Sequence, residues 1–154
     1  MSEIITIADL DVVAQKILTK ALENKKENRA TIIALSGDLG AGKTTFVQHI
    51  ACHLGISDNI QSPTFVILKS YQLSPFGEIS RRETSFKLFT HIDAYRLTSK
   101  EELEKLNWNE YSNNPDNLIC IEWPEQVEGL LPDDVICVKL EHVSENERAI
   151  SFDK

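Results

Sequence analysis

Apolar residues recur with a helical period near the start of the chain. Four of them follow one another at spacings of three, four and four: Leu10, Val13, Ile17 and Ala21. This spacing places all four on one face of an amphipathic helix. Asp9 precedes them in a position suited to an N-cap. The pattern therefore predicts a helix from Asp9 to about Leu22.

Short runs rich in β-branched and apolar residues predict a series of strands. Thr31–Gly37 (TIIALSG) is apolar at most positions, as in a strand that is buried on both faces. The pattern predicts strands in four more segments: Thr64–Leu73, Phe86–Ile92, Asn117–Trp123 and Val135–His142. We expect a last edge strand at Arg148–Phe152.

Two further helices are predicted between these strands. Lys43–Leu54 has helical character, and Gly55 is placed to end it. A short helix is expected from Ser99 to about Leu106. Strands separated by helices come first, and hairpin-like pairs of strands follow. This order predicts an α/β fold with a central sheet of mixed parallel and antiparallel strands, flanked by helices.

Length and composition fit one such domain. The chain has 154 residues, of which 42% are hydrophobic and 26% are charged, so it can bury a core but has little room for a second module. We therefore expect a single domain over residues 1–154. No apolar run is long enough to span a bilayer, and the acidic start of the chain does not resemble an export signal. A cytoplasmic protein without membrane association is expected.

The charge balance bears on the partners of the protein. Its 16 basic and 24 acidic residues give a net charge of −8. Proteins that bind nucleic acid by themselves usually present a basic face, whereas here only Arg81–Arg82 form a small basic cluster. Direct binding of tRNA or DNA is therefore disfavoured.

The cysteines do not indicate a metal centre. There are three of them, and none belongs to a C-x-x-C pair. They lie in apolar stretches, so we interpret them as small buried hydrophobic residues. No zinc site is expected.

A glycine-rich loop lies between the first predicted strand and the helix that follows it. The segment from Gly37 to Thr44, GDLGAGKT, has the pattern G-x-x-x-x-G-K-[ST] in the strand–loop–helix context that this motif requires. Glycines let successive backbone N–H groups face a phosphate, and the helix directs its positive end to the same place. We expect Lys43 to reach the β- and γ-phosphates of a nucleoside triphosphate, and Thr44 to bind Mg²⁺.

A magnesium ion at such a loop needs an acidic residue at the end of a neighbouring strand. Asp93 ends the strand FKLFTHI, and Glu122 ends LICI. Either one alone could be a strand-end turn residue or a solvated acid, but beside a phosphate-binding loop at least one is expected to serve the metal. His91 shares the strand face of Asp93. We interpret it as a packed strand histidine, with orientation of a water or a carboxylate as the alternative.

Two further features concern the nucleotide. No N/T-K-x-D segment occurs late in the chain, so guanine selection of the common kind is missing and ATP is favoured. The loop Ser62–Phe65 (SPTF) lies where switch segments sense the γ-phosphate in other P-loop proteins. Taken alone, it is only a loop that contains proline.

Together these segments resemble the TsaE (YjeE) family of small bacterial ATPases. The matching pieces are GDLGAGKTTF, SPTF, HIDAYRL with the following EELE, and IEWPE, in family order from Thr31 to Pro132. The resemblance implies a cytoplasmic P-loop protein that takes part in forming N6-threonylcarbamoyladenosine in tRNA. It also implies action on a TsaD–TsaB complex, which transfers the threonylcarbamoyl group. The protein would then contact tRNA only indirectly, through that complex. ATP hydrolysis, with Mg²⁺, would reset that complex between cycles.

The resemblance further implies roles for single residues. The phosphates would be bound by the loop and the first turn of the helix: Gly40, Ala41, Gly42, Lys43, Thr44 and Thr45. Thr44 and Glu122 would hold Mg²⁺, with Asp93 near the metal or the attacking water. Lys43, Asp93 and Glu122 are thus the expected catalytic residues, and Trp123 matches a functionally important tryptophan of the family.

Two segments depart from the family pattern. Ala8–Asp11 matches the N-terminal segment that lies against the nucleotide, but Asp11 stands where the family often has threonine. The stretch between SPTF and HIDAYRL is longer than usual, and we expect an extended hairpin at about residues 69–85. The Arg81–Arg82 pair in it is more simply a solvated loop tip. The sharper hypothesis is contact with tRNA phosphates or an acidic partner surface.

Two other functions stay open on the residues alone. A small-molecule kinase would need several arginines around the transferred phosphoryl group, and none of the five arginines here lies in a Gly-flanked lid. A nucleotide-dependent binding switch would keep the loop and lose the carboxylate that positions water, yet Asp93 and Glu122 are both present. We expect an ATPase whose low intrinsic rate is raised by a partner.

Overall fold

One mixed β-sheet runs through the computed structural model of the chain, which describes residues 2–56, 60–63, 66–74 and 84–152. Its seven strands in these ranges are β1 (Glu3–Thr6), β2 (Thr31–Ser36), β3 (Leu68–Gln72), β4 (Leu88–Asp93), β5 (Asn117–Glu122), β6 (Ile136–His142) and β7 (Glu147–Phe152). They lie in the order β1-β7-β6-β2-β5-β4-β3. The neighbours β6, β2, β5 and β4 are parallel, whereas β1, β7 and β3 add antiparallel pairs at the two edges.

Helices lie on both faces of this sheet. The α-helices among the described residues are α1 (Leu10–Glu23), α2 (Lys43–His53), α3 (Lys100–Glu104) and α4 (Trp108–Ser112), and two short 3₁₀ helices lie at Ile7–Asp9 and Pro124–Val127. None of the described helices has the length and apolar character needed to cross a membrane.

Strand β2 shows how the two faces are buried. Ile33 and Leu35 join the core cluster that α1 and α2 cover, whereas Ile32 and Ala34 join the cluster that includes Leu103 of α3. Side chains alternate between the faces of a strand, so a strand with a helical layer on each side must be apolar at successive positions. Full burial of an Ile or Leu stabilises the fold by about 1.5–3 kcal/mol.

Parallel pairing brings three strand ends to the same edge of the sheet. Leu35 of β2 lies opposite Glu122 of β5, and Asp93 of β4 lies opposite Glu122 on the other side. Neighbouring strands are about 4.8 Å apart. The two acidic residues therefore stand side by side at the edge from which the chain leaves β2 for α2.

The fold class predicted from the sequence is confirmed, and the differences lie at short elements. Strand β1 has four residues and forms by pairing with β7, a long-range partner that no local pattern reveals. Helix α4 has five residues, too few to show a helical period. Strand β3 begins at Leu68, later than predicted. Residues 64–65 and 75–83, with Arg81 and Arg82, lie outside the described residues, so the extended hairpin stays a prediction.

The interpretation of the cysteines is wrong for two of the three. Cys120 on β5 is buried, and burial raises the pKa of its thiol. Cys52 and Cys137 are exposed. Strand β6 alternates between core and solvent, so Cys137 falls on the outward-facing positions although its neighbours in sequence are apolar.

Candidate functional site

The glycine-rich loop joins β2 to α2 through residues in left-handed backbone conformations. Gly37 has a φ of +134°, and a Cβ atom there would lie 2.0 Å from the carbonyl oxygen of Leu140, so no other residue fits. Gly42 has a φ of +104° and is the N-cap of α2. The first N–H groups of a helix have no partner within the helix and carry its partial positive charge. The turn therefore aims an anion-binding helix end at the edge where β2 ends.

Lys43, the first residue of α2, is buried and folded back over the loop. Its Nζ donates to the carbonyl oxygens of Gly37 at 2.6 Å and Asp38 at 2.9 Å. It also lies 3.9 Å from the centroid of the Trp123 ring. Burial lowers the pKa of Lys43, and nearby carboxylates, Glu122 first among them, oppose this shift.

Thr44 and Glu122 meet across the site. The Thr44 Oγ1 lies 2.9 Å from Glu122 Oε1 and 3.0 Å from Oε2, and donates to this carboxylate. Glu122 ends β5 and is buried, with 3% of its surface exposed. A second contact comes from β4, where His91 Nε2 lies 2.8 Å from Glu122 Oε1. His91 is thus the packed strand histidine that the sequence favoured, and it also touches a carboxylate.

Two donors from the described part of the chain hold Asp93 at the end of β4. Its Oδ2 accepts from Ser62 Oγ at 2.5 Å, and its Oδ1 accepts from the Tyr95 backbone N–H at 3.0 Å. Ser62 is the first residue of the SPTF segment. This contact ties the loop before β3 to one of the two acidic residues of the site.

These groups surround a cleft of about 420 Å³. Nine of the residues singled out from the sequence line it: Gly40, Gly42, Lys43, Thr44, Thr45, Ser62, Asp93, Glu122 and Trp123. Ala41 is buried in the loop, and its carbonyl oxygen faces an arginine described below. Hydroxyl, carboxylate, ammonium and helix N-terminal groups therefore converge in one concave place, as expected of a phosphate and metal site.

Asp11 is not brought to this cleft. It lies in the first turn of α1, and its Oδ1 is 3.1 Å from His49 Nδ1 and 3.0 Å from His53 Nε2 on α2. These histidines are six and ten residues beyond Lys43, or about 9 and 15 Å along the helix at 1.5 Å per residue. The structure thus shows Asp11 as a contact between α1 and α2. Its contact with a nucleotide stays a prediction.

Arg148 is a cleft residue that the sequence did not single out. It lies on β7, its Nε donates to the Ala41 carbonyl at 3.1 Å, and its Nη1 donates to the Ser144 carbonyl at 2.7 Å. It is thereby tied to the glycine-rich loop more than 100 residues earlier in the chain. The sequence placed Arg148 at the start of a strand, but only the order of strands in the sheet shows that this strand lies near the loop.

The family model of the threonylcarbamoyl adenosine biosynthesis protein TsaE matches residues 8–150 of the chain. The chain belongs to the TsaE family. The resemblance expected from the four motifs is thereby confirmed over nearly the whole length, including α1 and most of the last two strands, which those motifs do not cover.

Curated proteins similar to this chain carry the TsaE name. The tRNA threonylcarbamoyladenosine biosynthesis protein TsaE of Rickettsia felis is 43% identical over 122 residues, which are 79% of this chain and 64% of the relative. The protein of the same name from Haemophilus influenzae is 34% identical over 114 residues, 74% of this chain and 65% of the relative. The chain therefore spans just under two thirds of the length of these two curated relatives.

A solved structure shares the fold. The crystal structure of YdiB from Bacillus subtilis superposes with a TM-score of 0.63, at 22% identity, over 99% of this chain and 83% of that one. At this identity the likeness concerns the fold alone.

Proposed function

We propose that this TsaE-family protein is a P-loop ATPase that serves tRNA N6-threonylcarbamoyladenosine biosynthesis from the cytoplasm, as a single domain over residues 1–154. The observation that carries the proposal is the contact between Thr44 and Glu122 beside Lys43, at the N-terminus of α2. A lysine, a hydroxyl and an acidic strand end that lie together are the parts that a nucleoside triphosphatase of this class needs.

ATP is proposed to bind with its phosphates at the loop. Residues Gly40 to Thr45 supply the N–H groups of the loop and of the first turn of α2, and Lys43 supplies a positive charge. Lys43 now satisfies its donors on two backbone carbonyls, which are neutral acceptors. Phosphate oxygens are charged acceptors and make stronger bonds, so an ATP phosphate competes well for the ammonium group.

The residues present fit a magnesium ion. Mg²⁺ prefers oxygen ligands and usually keeps several waters, with one or two protein ligands and the substrate phosphates. Thr44 Oγ1 and the Glu122 carboxylate are such ligands, and they are already within 3.0 Å of each other. When bound, the ion would neutralise charge on the phosphates during hydrolysis. Asp93, on the neighbouring strand end, is proposed to position the metal or the attacking water.

The partner is proposed to be a TsaD–TsaB type complex, with tRNA met only through that complex. The family assignment supports the pathway. The net charge of −8 supports an indirect rather than a direct encounter with tRNA, because phosphate neutralisation provides most non-specific affinity for nucleic acid. We expect slow hydrolysis by the protein alone and faster hydrolysis with the purified complex.

Nucleoside mass spectrometry of bulk tRNA tests this function. Cells depleted of the protein are expected to lose N6-threonylcarbamoyladenosine and to regain it with the wild-type protein but not with Lys43→Ala. Lys16→Ala, on the exposed face of α1, is the matched control and should restore the modification. Unchanged modification after depletion would refute the pathway. Restoration by Lys43→Ala would refute the need for the phosphate-binding loop.

A further inference from the structure

His91 is a buried imidazole with one satisfied and one unsatisfied nitrogen. The side chain is completely buried within β4. Its Nε2 lies 2.8 Å from Glu122 Oε1, whereas its Nδ1 has no hydrogen-bond partner among the described residues. A histidine needed only for packing could be replaced by an apolar residue at such a position. The ring is instead aimed at the acidic residue of the site.

The contact fixes where the imidazole carries its proton. An ionised carboxylate only accepts hydrogen bonds, so Nε2 must be the donor to Glu122. In the neutral ring Nδ1 is then unprotonated and is an acceptor. The opposite tautomer would bury an N–H donor at Nδ1 with no acceptor to bind it. The surroundings of His91 therefore favour one tautomer, and that tautomer points a donor at Glu122.

Glu122 is consequently held from two elements. His91 of β4 donates to Oε1, and the single O–H of Thr44 of α2 donates to the carboxylate, with Oγ1 within 3.0 Å of both oxygens. A carboxylate side chain with one free end could rotate about its last torsion, which has a broad profile. The contact with a rigid, buried ring restricts that rotation, and it does so from a strand that a ligand in the cleft does not have to move.

We propose that His91 is a positioning residue for the divalent metal: it holds the Glu122 carboxylate in the orientation in which Glu122 and Thr44 together bind Mg²⁺. The inference rests on the proposed function. Carboxylates that bind metals are themselves hydrogen-bonded, and loss of such an outer partner usually lowers metal affinity or activity by about 10- to 100-fold. His91 does not touch the nucleotide cleft, so the affinity for nucleotide without metal is not expected to depend on it.

The test compares metal binding with nucleotide binding in three variants of the full chain. His91→Leu removes the donor, and His91→Gln keeps an amide donor at a similar reach. Thr90→Val is the matched control, because Thr90 is the equally buried neighbour on β4 and its hydroxyl bonds to Asn117 rather than to Glu122. Mn²⁺ binding in the presence of ADP is measured by electron paramagnetic resonance, and ADP affinity is measured separately in EDTA.

We expect His91→Leu to weaken Mn²⁺ binding about 10- to 100-fold and to leave ADP affinity in EDTA within about threefold of wild type. His91→Gln should recover most of the metal affinity, and Thr90→Val should change neither quantity. If a folded His91→Leu variant bound Mn²⁺ with wild-type affinity, the role of His91 would be overturned, but the proposed function would stand. Absence of ADP-dependent Mn²⁺ binding in the wild-type protein would overturn the proposed function and the inference with it.

A second measurement needs no variant. Nitrogen-15 NMR of the wild-type protein reports which imidazole nitrogen of His91 carries the proton. We expect the tautomer with the proton on Nε2, and a further change of its signal when Mg²⁺ is added to the ADP-bound protein. A proton on Nδ1 alone would leave nothing to donate to Glu122 and would overturn the inference even if His91→Leu fails to fold.

Discussion

The Lys43 ammonium group lies 3.9 Å from the centroid of the Trp123 ring, and the backbone of Trp123 is left-handed, with a φ of 60°. This backbone conformation turns the chain at the end of β5 and sets the indole beside the glycine-rich loop. A cation over an indole face is stabilised by about 0.5–2 kcal/mol, depending on its desolvation. Before phosphate binds, therefore, the Lys43 ammonium group is stabilised by the Trp123 ring and by the carbonyl oxygens of Gly37 and Asp38.

Nucleotide binding is expected to change the fluorescence of Trp123. If phosphates draw the Lys43 ammonium away from the indole, the electrostatic field on the ring changes and its emission shifts. Titration with ADP, followed by tryptophan emission, measures this. Trp123→Phe should abolish the response, whereas Trp108→Phe, a change in the buried helix α4, should keep it. A full response in Trp123→Phe would show that Lys43 does not report on the phosphates in this way.

Without nucleotide, the stability difference between wild type and Lys43→Met should depend on pH. Burial lowers the pKa of Lys43 below its ordinary value of 10.5, so the folded state binds this proton less tightly than the unfolded state. The buried charge therefore lowers the free energy of unfolding, fully so below the pKa of Lys43 in the folded state. This destabilisation disappears as the pH rises from that pKa to 10.5. The free energy of unfolding of the wild type should therefore rise relative to that of the methionine variant over this window.

Urea unfolding of both proteins between pH 7 and pH 10.5 measures the difference. The titrating groups that both proteins share contribute nearly equally to both free energies of unfolding, so their contributions largely cancel in the difference. A difference that stays constant with pH, or that moves against the wild type as pH rises, would contradict a lowered pKa for Lys43.

Glu122→Ala should separate hydrolysis from nucleotide binding. The phosphate contacts of the loop and of Lys43 survive in this variant, so ADP affinity in EDTA should stay within about threefold of wild type. Mg²⁺-dependent hydrolysis should fall by about 100-fold or more, as expected when a group that stabilises developing charge is lost. The exposed Glu128→Ala is the control. Normal hydrolysis by Glu122→Ala would mean that Asp93 carries the metal role.

The parts of the site that could be predicted are those whose signal is local or follows from sheet geometry. The glycine-rich loop needs its glycines within a few residues of Lys43 and Thr44, so the sequence shows it directly. Asp93 and Glu122 each end a strand pattern in the sequence, and parallel pairing places such strand ends together whatever the order of the remaining strands.

The parts that could not be predicted depend on long-range order in the sheet. Arg148 reaches the loop because β7 pairs with β6 and β6 pairs with β2, and no spacing along the chain reveals this sequence of neighbours. The sequence leaves open whether His91 packs in its strand or orients a carboxylate, and its contact with Glu122 depends on side-chain direction across two strands. The nucleotide contact of Asp11 follows from the family resemblance alone, and in the structure its carboxylate contacts His49 and His53 of α2, outside the cleft.

Gly37→Ala should destabilise the fold far more than Gly129→Ala. Both glycines have positive φ, +134° and +83°, so alanine is strained at each by about 1–2 kcal/mol. At Gly37 the added Cβ would also lie 2.0 Å from the Leu140 carbonyl oxygen, whereas at Gly129 the nearest atom is Lys100 Nζ at 4.0 Å, the end of a flexible side chain. A backbone carbonyl in β6 cannot move without disturbing the sheet.

We therefore expect a loss of about 3 kcal/mol or more for Gly37→Ala and about 1–2 kcal/mol for Gly129→Ala, measured by urea unfolding. Because β6 and the loop both shift in Gly37→Ala, its nucleotide affinity should fall as well, whereas Gly129→Ala should bind nucleotide normally. Equal losses of stability in the two variants would show that the loop and β6 are not packed as closely as the structure has them, and that Gly37 is required for its backbone conformation alone.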